Sequence, residues 1–246
     1  MMQTADSYVP EYIRMLGRPH GPFPFEAIRR AVERREEATR WFLRSLDRAS
    51  MPGGVMSAMD DKLPTFAMYL LAEFRERRGF PPLLRLAHMR YVDDLLGDAL
   101  VEGLGRALAS VSDGDPAPMQ RVVEDSAATQ YARSAVLDGI GAMYYNKQLE
   151  RVQMSAYLHR LMSDPSRVLP SIVWSGVVSM SADFRFHEHI ERIRAIYHEQ
   201  RFDPDFEPLA LIEARIHQSN YDSMEMKSYE LIDDTERELS SWPCFQ

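Results

Sequence analysis

A chain whose apolar residues recur every three to four positions, cut at short intervals by proline and glycine, is committed to short packed helices. The stretch PTFAMYLLAEFRERRGFPP (64–82) shows the grammar. Phe66, Leu70 and Phe74 fall on one face beside Ala67 and Leu71, while Glu73, Glu76 and Arg77 point away. Arg77 and Arg78 suit the negative end of the helix dipole, Gly79 is the expected cap, and Pro81-Pro82 bar continuation. The pattern recurs at about 25–36, 39–50, 64–78, 81–89, 98–110, 116–124, 129–145, 148–163, 168–181, 184–200 and 206–217, and no alternating strand pattern competes with it.

Successive pairs begin every ~31–39 residues, a helical-pair period. One pair buries too little apolar surface alone, so neighbours must stack. The expected fold is all-α, a right-handed α-solenoid of HEAT-like antiparallel helix pairs, with residues 1–21 an N-terminal extension, 22–220 the repeat domain and 221–246 an acidic tail or capping helix. No apolar run approaches membrane-spanning length and no signal-peptide pattern opens the chain, so a cytoplasmic location is expected. A single cysteine, Cys244, excludes an internal disulfide and a paired-cysteine zinc site.

In DSAATQYARSAVLDGIGAMYY (125–145), Asp125 precedes a helix carrying Arg133, Ala135, Leu137 and Ile140, which resembles a HEAT repeat. Together AMYLLAEFRERRGFPPLLRLA (67–87), LLGDALVEGLGRALASVSDGD (95–115) and YELIDDTERELSSWPCF (229–245) resemble the bacterial family called domain of unknown function 1186, over residues 22 to the end. That resemblance implies a HEAT-type helical fold and no assigned activity. Some relatives carry a cysteine-rich zinc module after this region. With one cysteine before its last residue, Gln246, the chain is not expected to share it.

The segment FRFHEHIERI (184–193) invites a metal-site reading. On a helix, however, His187, Glu191, Arg194 and His198 form one polar stripe, whereas Phe186, His189, Ile190, Ile193, Ile196 and Tyr197 form the apolar arc. The two histidines of HEH therefore diverge, and the preferred reading is a solvated stripe with His189 at the packed edge. His187 with Glu191 remains a weak metal candidate. So does the row Asp94, Asp98 and Glu102, although Asp98 suits a helix N-cap and Glu102 is placed to pair with Arg106. Gly103 and Gly105 cost helix stability and are expected to admit a close neighbour. No catalytic residue and no cofactor is assigned: there is no G-x-S-x-G elbow and no phosphate-binding loop.

Two features suit recognition. Arg40, Arg44 and Arg48 share one helix face, with Glu36, Glu37 and Asp47 as their expected counter-charges. Residues 201–246 hold 4 basic and 11 acidic side chains and so carry most of the net charge of -8. There Asp233, Asp234, Glu236 and Glu238 alternate with Leu231, Ile232, Leu239, Trp242 and Phe245, a mixture suited to docking or to capping the last repeat with Trp242 and Phe245. The leading expectation is a non-catalytic scaffold or adaptor that offers a concave helical surface to a protein, with Arg40, Arg44, Arg48, Asp233, Asp234, Trp242 and Phe245 as contact residues. An enzyme using metal or acid–base chemistry in an inter-repeat groove is the alternative. Nucleic-acid binding through the arginine stripe is a third reading, against which the acidic balance weighs.

Overall fold

A computed structural model of the chain describes residues 9–18, 20–51, 61–164, 168–201, 207–217 and 225–242. Phe245 and Cys244 lie outside these residues. Among them the structure is helical, with no strand. The helices are α1 (Glu11–Leu16), α2 (Phe25–Glu33), α3 (Arg35–Ala49), α4 (Leu63–Glu73), α5 (Phe80–Ala87), α6 (Val92–Leu96), α7 (Gly105–Val111), α8 (Ala117–Glu124), α9 (Gln130–Tyr145), α10 (Arg151–Ser163), α11 (Ser171–Asp183), α12 (Ile190–His198), α13 (Leu209–His217) and α14 (Thr235–Leu239). No helix among them is long and apolar enough to cross a membrane.

Two rows emerge from the packing. Helices α4, α7, α9, α11 and α13 stack each on the next in chain order. Helices α3, α5, α8, α10 and α12 form the second row, in which the Arg160–Glu124 ion pair joins α10 to α8. The tightest seam lies where α7 meets α9. Gly105 faces the main chain of α9: a Cβ there would sit 2.7 Å from the Gly139 nitrogen, and one at Gly139 would sit 2.8 Å from Gly105 Cα. The glycines therefore let two backbones touch, as expected of Gly105. Immediately before α7 the chain makes a π-helical turn, Leu100–Leu104, in which Gly103 lies under the ring of Tyr69.

The structure corrects several boundaries and environments. Helix α4 is not amphipathic: every residue from Pro64 to Ala72 is buried, because α3 and α7 cover two sides and the C-terminal segment a third. Its end is set by Arg75, not by Gly79. Arg75 takes φ 54° while the Glu76 amide bonds back to Leu71 O at 3.0 Å, a Schellman closure. The same closure ends α9 at Lys147 (φ 63°), α11 at Arg185 (φ 54°) and α12 at Gln200 (φ 51°). Helices α2 and α3 are separated only by Arg34, and α12 is preceded by a 3-10 turn, His187–His189, instead of continuing from residue 184. Helices α1 and α6 were absent from the periodic reading, being too short to repeat.

Candidate partner-binding face

Residues 225–242 run back across the first row instead of lying over the last helix pair. Tyr229 sits between α9 and α11, with its ring 4.9 Å from that of Phe184. Its hydroxyl donates to Asp183 Oδ2 at 2.9 Å. Gly141 makes room for it, since a Cβ there would lie 2.7 Å from the tyrosine ring. The segment then crosses α7, passes α4 and reaches α2.

Side chains of the row hold its main chain at successive points. Asn146 Nδ2 donates to Tyr229 O at 2.8 Å and Arg106 Nε to Glu230 O at 2.7 Å. The Ile232 amide donates to Ser110 Oγ at 3.2 Å, Arg75 donates to Ile232 O, and the Thr235 amide donates to Glu73 Oε2 at 2.9 Å. Charge then fixes the register. Arg106 grips Glu238 through two 2.8 Å bonds, and Arg29 grips Glu236 at 3.0 and 3.1 Å. The Arg106–Glu238 side chains are only 14% and 20% exposed, so their bonds are shielded from water, whereas the more open Arg29 pair contributes less. Ile232 and Leu239 are fully buried, each worth about 1.5–3 kcal/mol, and Trp242 meets Tyr69 edge-on at 6.0 Å.

A carboxylate pair lies under this crossing. Burial pushes the Asp138 carboxyl up to about 7, helped by the negative charges of Asp183 and Glu102. Its folded value thus exceeds the unfolded one, so stability present below about pH 4 is lost as pH rises toward 7. Asp138→Asn is expected to remove that slope and to raise stability at pH 8 by about 1–2 kcal/mol, less than the full shift implies because Asp138 is partly exposed. Urea titrations of both proteins at pH 5 and pH 8 measure it.

The residues singled out from sequence are distributed as follows. Asp94 lies on α6, Gly97 (φ 52°) breaks the chain before Asp98, and Glu102 sits in the π turn, so the acidic row does not continue along one helix. Arg106 pairs with Glu238 and not with Glu102, because the C-terminal segment arrives over it. Glu191 takes Arg194 at 2.6 Å, and the His187 ring lies 5.5 Å from that of His217, tilted by 38°. His189 is fully buried, while His187, Glu191, Arg194 and His198 are exposed, which is the division the helical wheel required. Among the described residues no three His, Cys, Asp or Glu side chains converge as a metal site.

Arg40, Arg44 and Arg48 are exposed on α3, and the counter-charge of Arg48 is not one of the three expected. Arg48 takes Asp61 at 3.1 Å and Arg44 lies 5.3 Å over Trp41, while Glu37 serves Arg34 and Tyr12 and Asp47 serves Arg85. Asp234 caps α14 through the Arg237 amide at 2.9 Å, and Asp233 pairs with Arg237. The residues the periodicity missed are the receivers, namely Arg29, Glu73, Arg75, Arg106, Ser110 and Asn146. The excess of acid in the tail was the available signal that basic receivers existed elsewhere.

The family model described as "Protein of unknown function (DUF1186)" matches residues 9–246. The chain belongs to the DUF1186 family. Two uncharacterised proteins resemble this DUF1186 chain along nearly their whole length. That of Chlamydia muridarum is 29% identical over 233 residues, covering 91% of this chain and 92% of its own. That of Chlamydia trachomatis is also 29% identical over 233 residues, covering 91% of each. No solved structure matches this DUF1186 chain.

Proposed function

We propose that this DUF1186 protein is a right-handed solenoid of HEAT-like helix pairs that acts as a cytoplasmic protein-binding scaffold, and that the face holding residues 225–242 is where a partner binds. One observation carries the reading. Five side chains of the face, Asn146, Arg106, Ser110, Arg75 and Glu73, bond to main-chain atoms of the segment. Main-chain recognition does not depend on the sequence recognised, so the same groups suit any extended segment with apolar anchors. Acidic side chains at the positions of Glu236 and Glu238 would meet Arg29 and Arg106. The chain's own segment is then the resident ligand, and its tethering gives it a high effective concentration that a partner must overcome. The arginines of α3 offer an accessory contact for acidic groups of the same partner.

A fluorescein-labelled peptide of residues 225–242 tests this by anisotropy with the full chain. Glu236→Ala with Glu238→Ala in the protein weakens the tethered competitor, and at least about tenfold tighter binding of the peptide is expected. Adding Arg29→Ala and Arg106→Ala should remove that binding. A peptide that binds no tighter to the glutamate variant, or that ignores the arginine changes, contradicts the reading.

A further inference from the structure

We propose that a pocket between α1 and α3 binds a small carboxylic acid with an apolar body, the carboxylate held by Arg44 and Arg48 and the body laid along Trp41. The inference goes beyond the partner-binding face and stands independently of it. Trp41, Arg44, Ser45 and Arg48 recur at i, i+3, i+4 and i+7, so α3 turns all four to one side. Helices α1 and α3 both pack on α4, and between them lies an open pocket of about 460 Å³. This stripe forms one wall, Ile13 and Arg14 of α1 another, and Asp61 and Leu63, where α4 begins, close the end. The volume is that of a small-molecule site.

Charge selects the head group. The pocket wall sets three guanidinium groups against one carboxylate, in a chain whose net charge is -8. That carboxylate is already engaged: Asp61 Oδ1 accepts the Leu63 amide at 2.9 Å and Oδ2 accepts Arg48 Nη2 at 3.1 Å. Arg14 takes Glu11 at 2.5 Å. A guanidinium has five N–H donors, so Arg48 keeps donors for a second carboxylate, and Arg44, one helical turn earlier, is placed to share it. Two oxygens in one plane match that fork.

A second observation points to a ligand. Ser45 is 5% exposed, and among the described residues its hydroxyl has no hydrogen-bond partner. Serines inside helices commonly bond the carbonyl four residues back, as Ser110, Ser175 and Ser181 do at 2.8, 3.1 and 2.8 Å. Ser45 does not, and a buried hydroxyl left unpaired is costly. A carboxylate seated between Arg44 and Arg48 gives it an acceptor. The rest of the wall suits an apolar body: Ile13 is buried, and Trp41 and Leu63 are half-buried, so a chain laid over them displaces water from apolar surface.

Trp41 makes the pocket its own reporter. The full chain titrated with 10-bromodecanoate, whose bromine quenches a tryptophan it touches, should lose fluorescence with a Kd below about 0.1 mM. Trp41→Phe should remove the quenching while calorimetry with decanoate still records binding. Arg44→Gln with Arg48→Gln should weaken decanoate at least about tenfold, with the helical circular dichroism unchanged because both side chains are exposed. Asp61→Asn keeps an oxygen for the Leu63 amide and withdraws the competing charge, so decanoate should bind about threefold tighter or more. Decyltrimethylammonium, with the same chain and the opposite charge, should not bind. If the arginine variant fails to fold, Asp61→Asn and the ammonium comparison decide in its place. The proposal is overturned by the absence of decanoate binding, by equal affinity for the ammonium, by quenching that persists in Trp41→Phe, or by arginine or Asp61 variants that bind decanoate as the unaltered chain does.

Discussion

Gly105→Ala is expected to lower the melting temperature by about 6–12 °C, the equivalent of about 3 kcal/mol in a chain of this length. The added Cβ would meet the Gly139 nitrogen at 2.7 Å and the Ala135 carbonyl carbon at 3.0 Å. Both are main-chain atoms of a fully packed helix, so no side-chain rotation relieves them, and the α7–α9 seam must open. Gly114→Ala is the informative comparison. Its position has open space around the Cβ but a φ of 101°, so the loss there comes from backbone strain alone and should be about 1–2 kcal/mol. Thermal melts that rank the two variants the other way would show that the seam tolerates separation.

Arg106→Ala is the second large effect, with about 3 kcal/mol lost. The substitution strips two bonds from Glu238, which is 20% exposed, and one from Glu230 O, leaving a carboxylate shielded from water without its counter-charge. Part of the loss should return in Arg106→Ala with Glu238→Gln, because the stranded charge is then gone. If the double variant is no more stable than the single one in urea titration, the cost lies in packing by the arginine stem.

The helices were legible because each buries a face whose spacing is written locally. The same applies to His189, whose place among Phe186, Ile193 and Ile196 follows from a helical wheel even though a 3-10 turn precedes α12. What was not legible depends on distant partners. Glu102, four residues before Arg106, is its natural local partner, yet Glu238 takes it from 132 residues away. Nothing local announces that choice. The all-round burial of α4 has the same origin, since its outer side is covered by a segment from the far end of the chain. The left-handed closures at Arg75 and Arg185 were hidden for another reason. Glycine is the usual mark of that conformation, and here the shared mark is an acid-Phe-Arg run, Glu73-Phe74-Arg75 and Asp183-Phe184-Arg185.

Hydrogen exchange of the full chain tests the central claim most directly, since a face that reads the main chain of residues 225–242 must shield the amides it holds. The amides of Ile232 and Thr235, bonded to Ser110 and Glu73, should exchange far more slowly than in the free peptide. Arg106→Ala should speed both, while α3 keeps its protection. Exchange of those amides at the free-peptide rate in the unaltered protein would contradict the account.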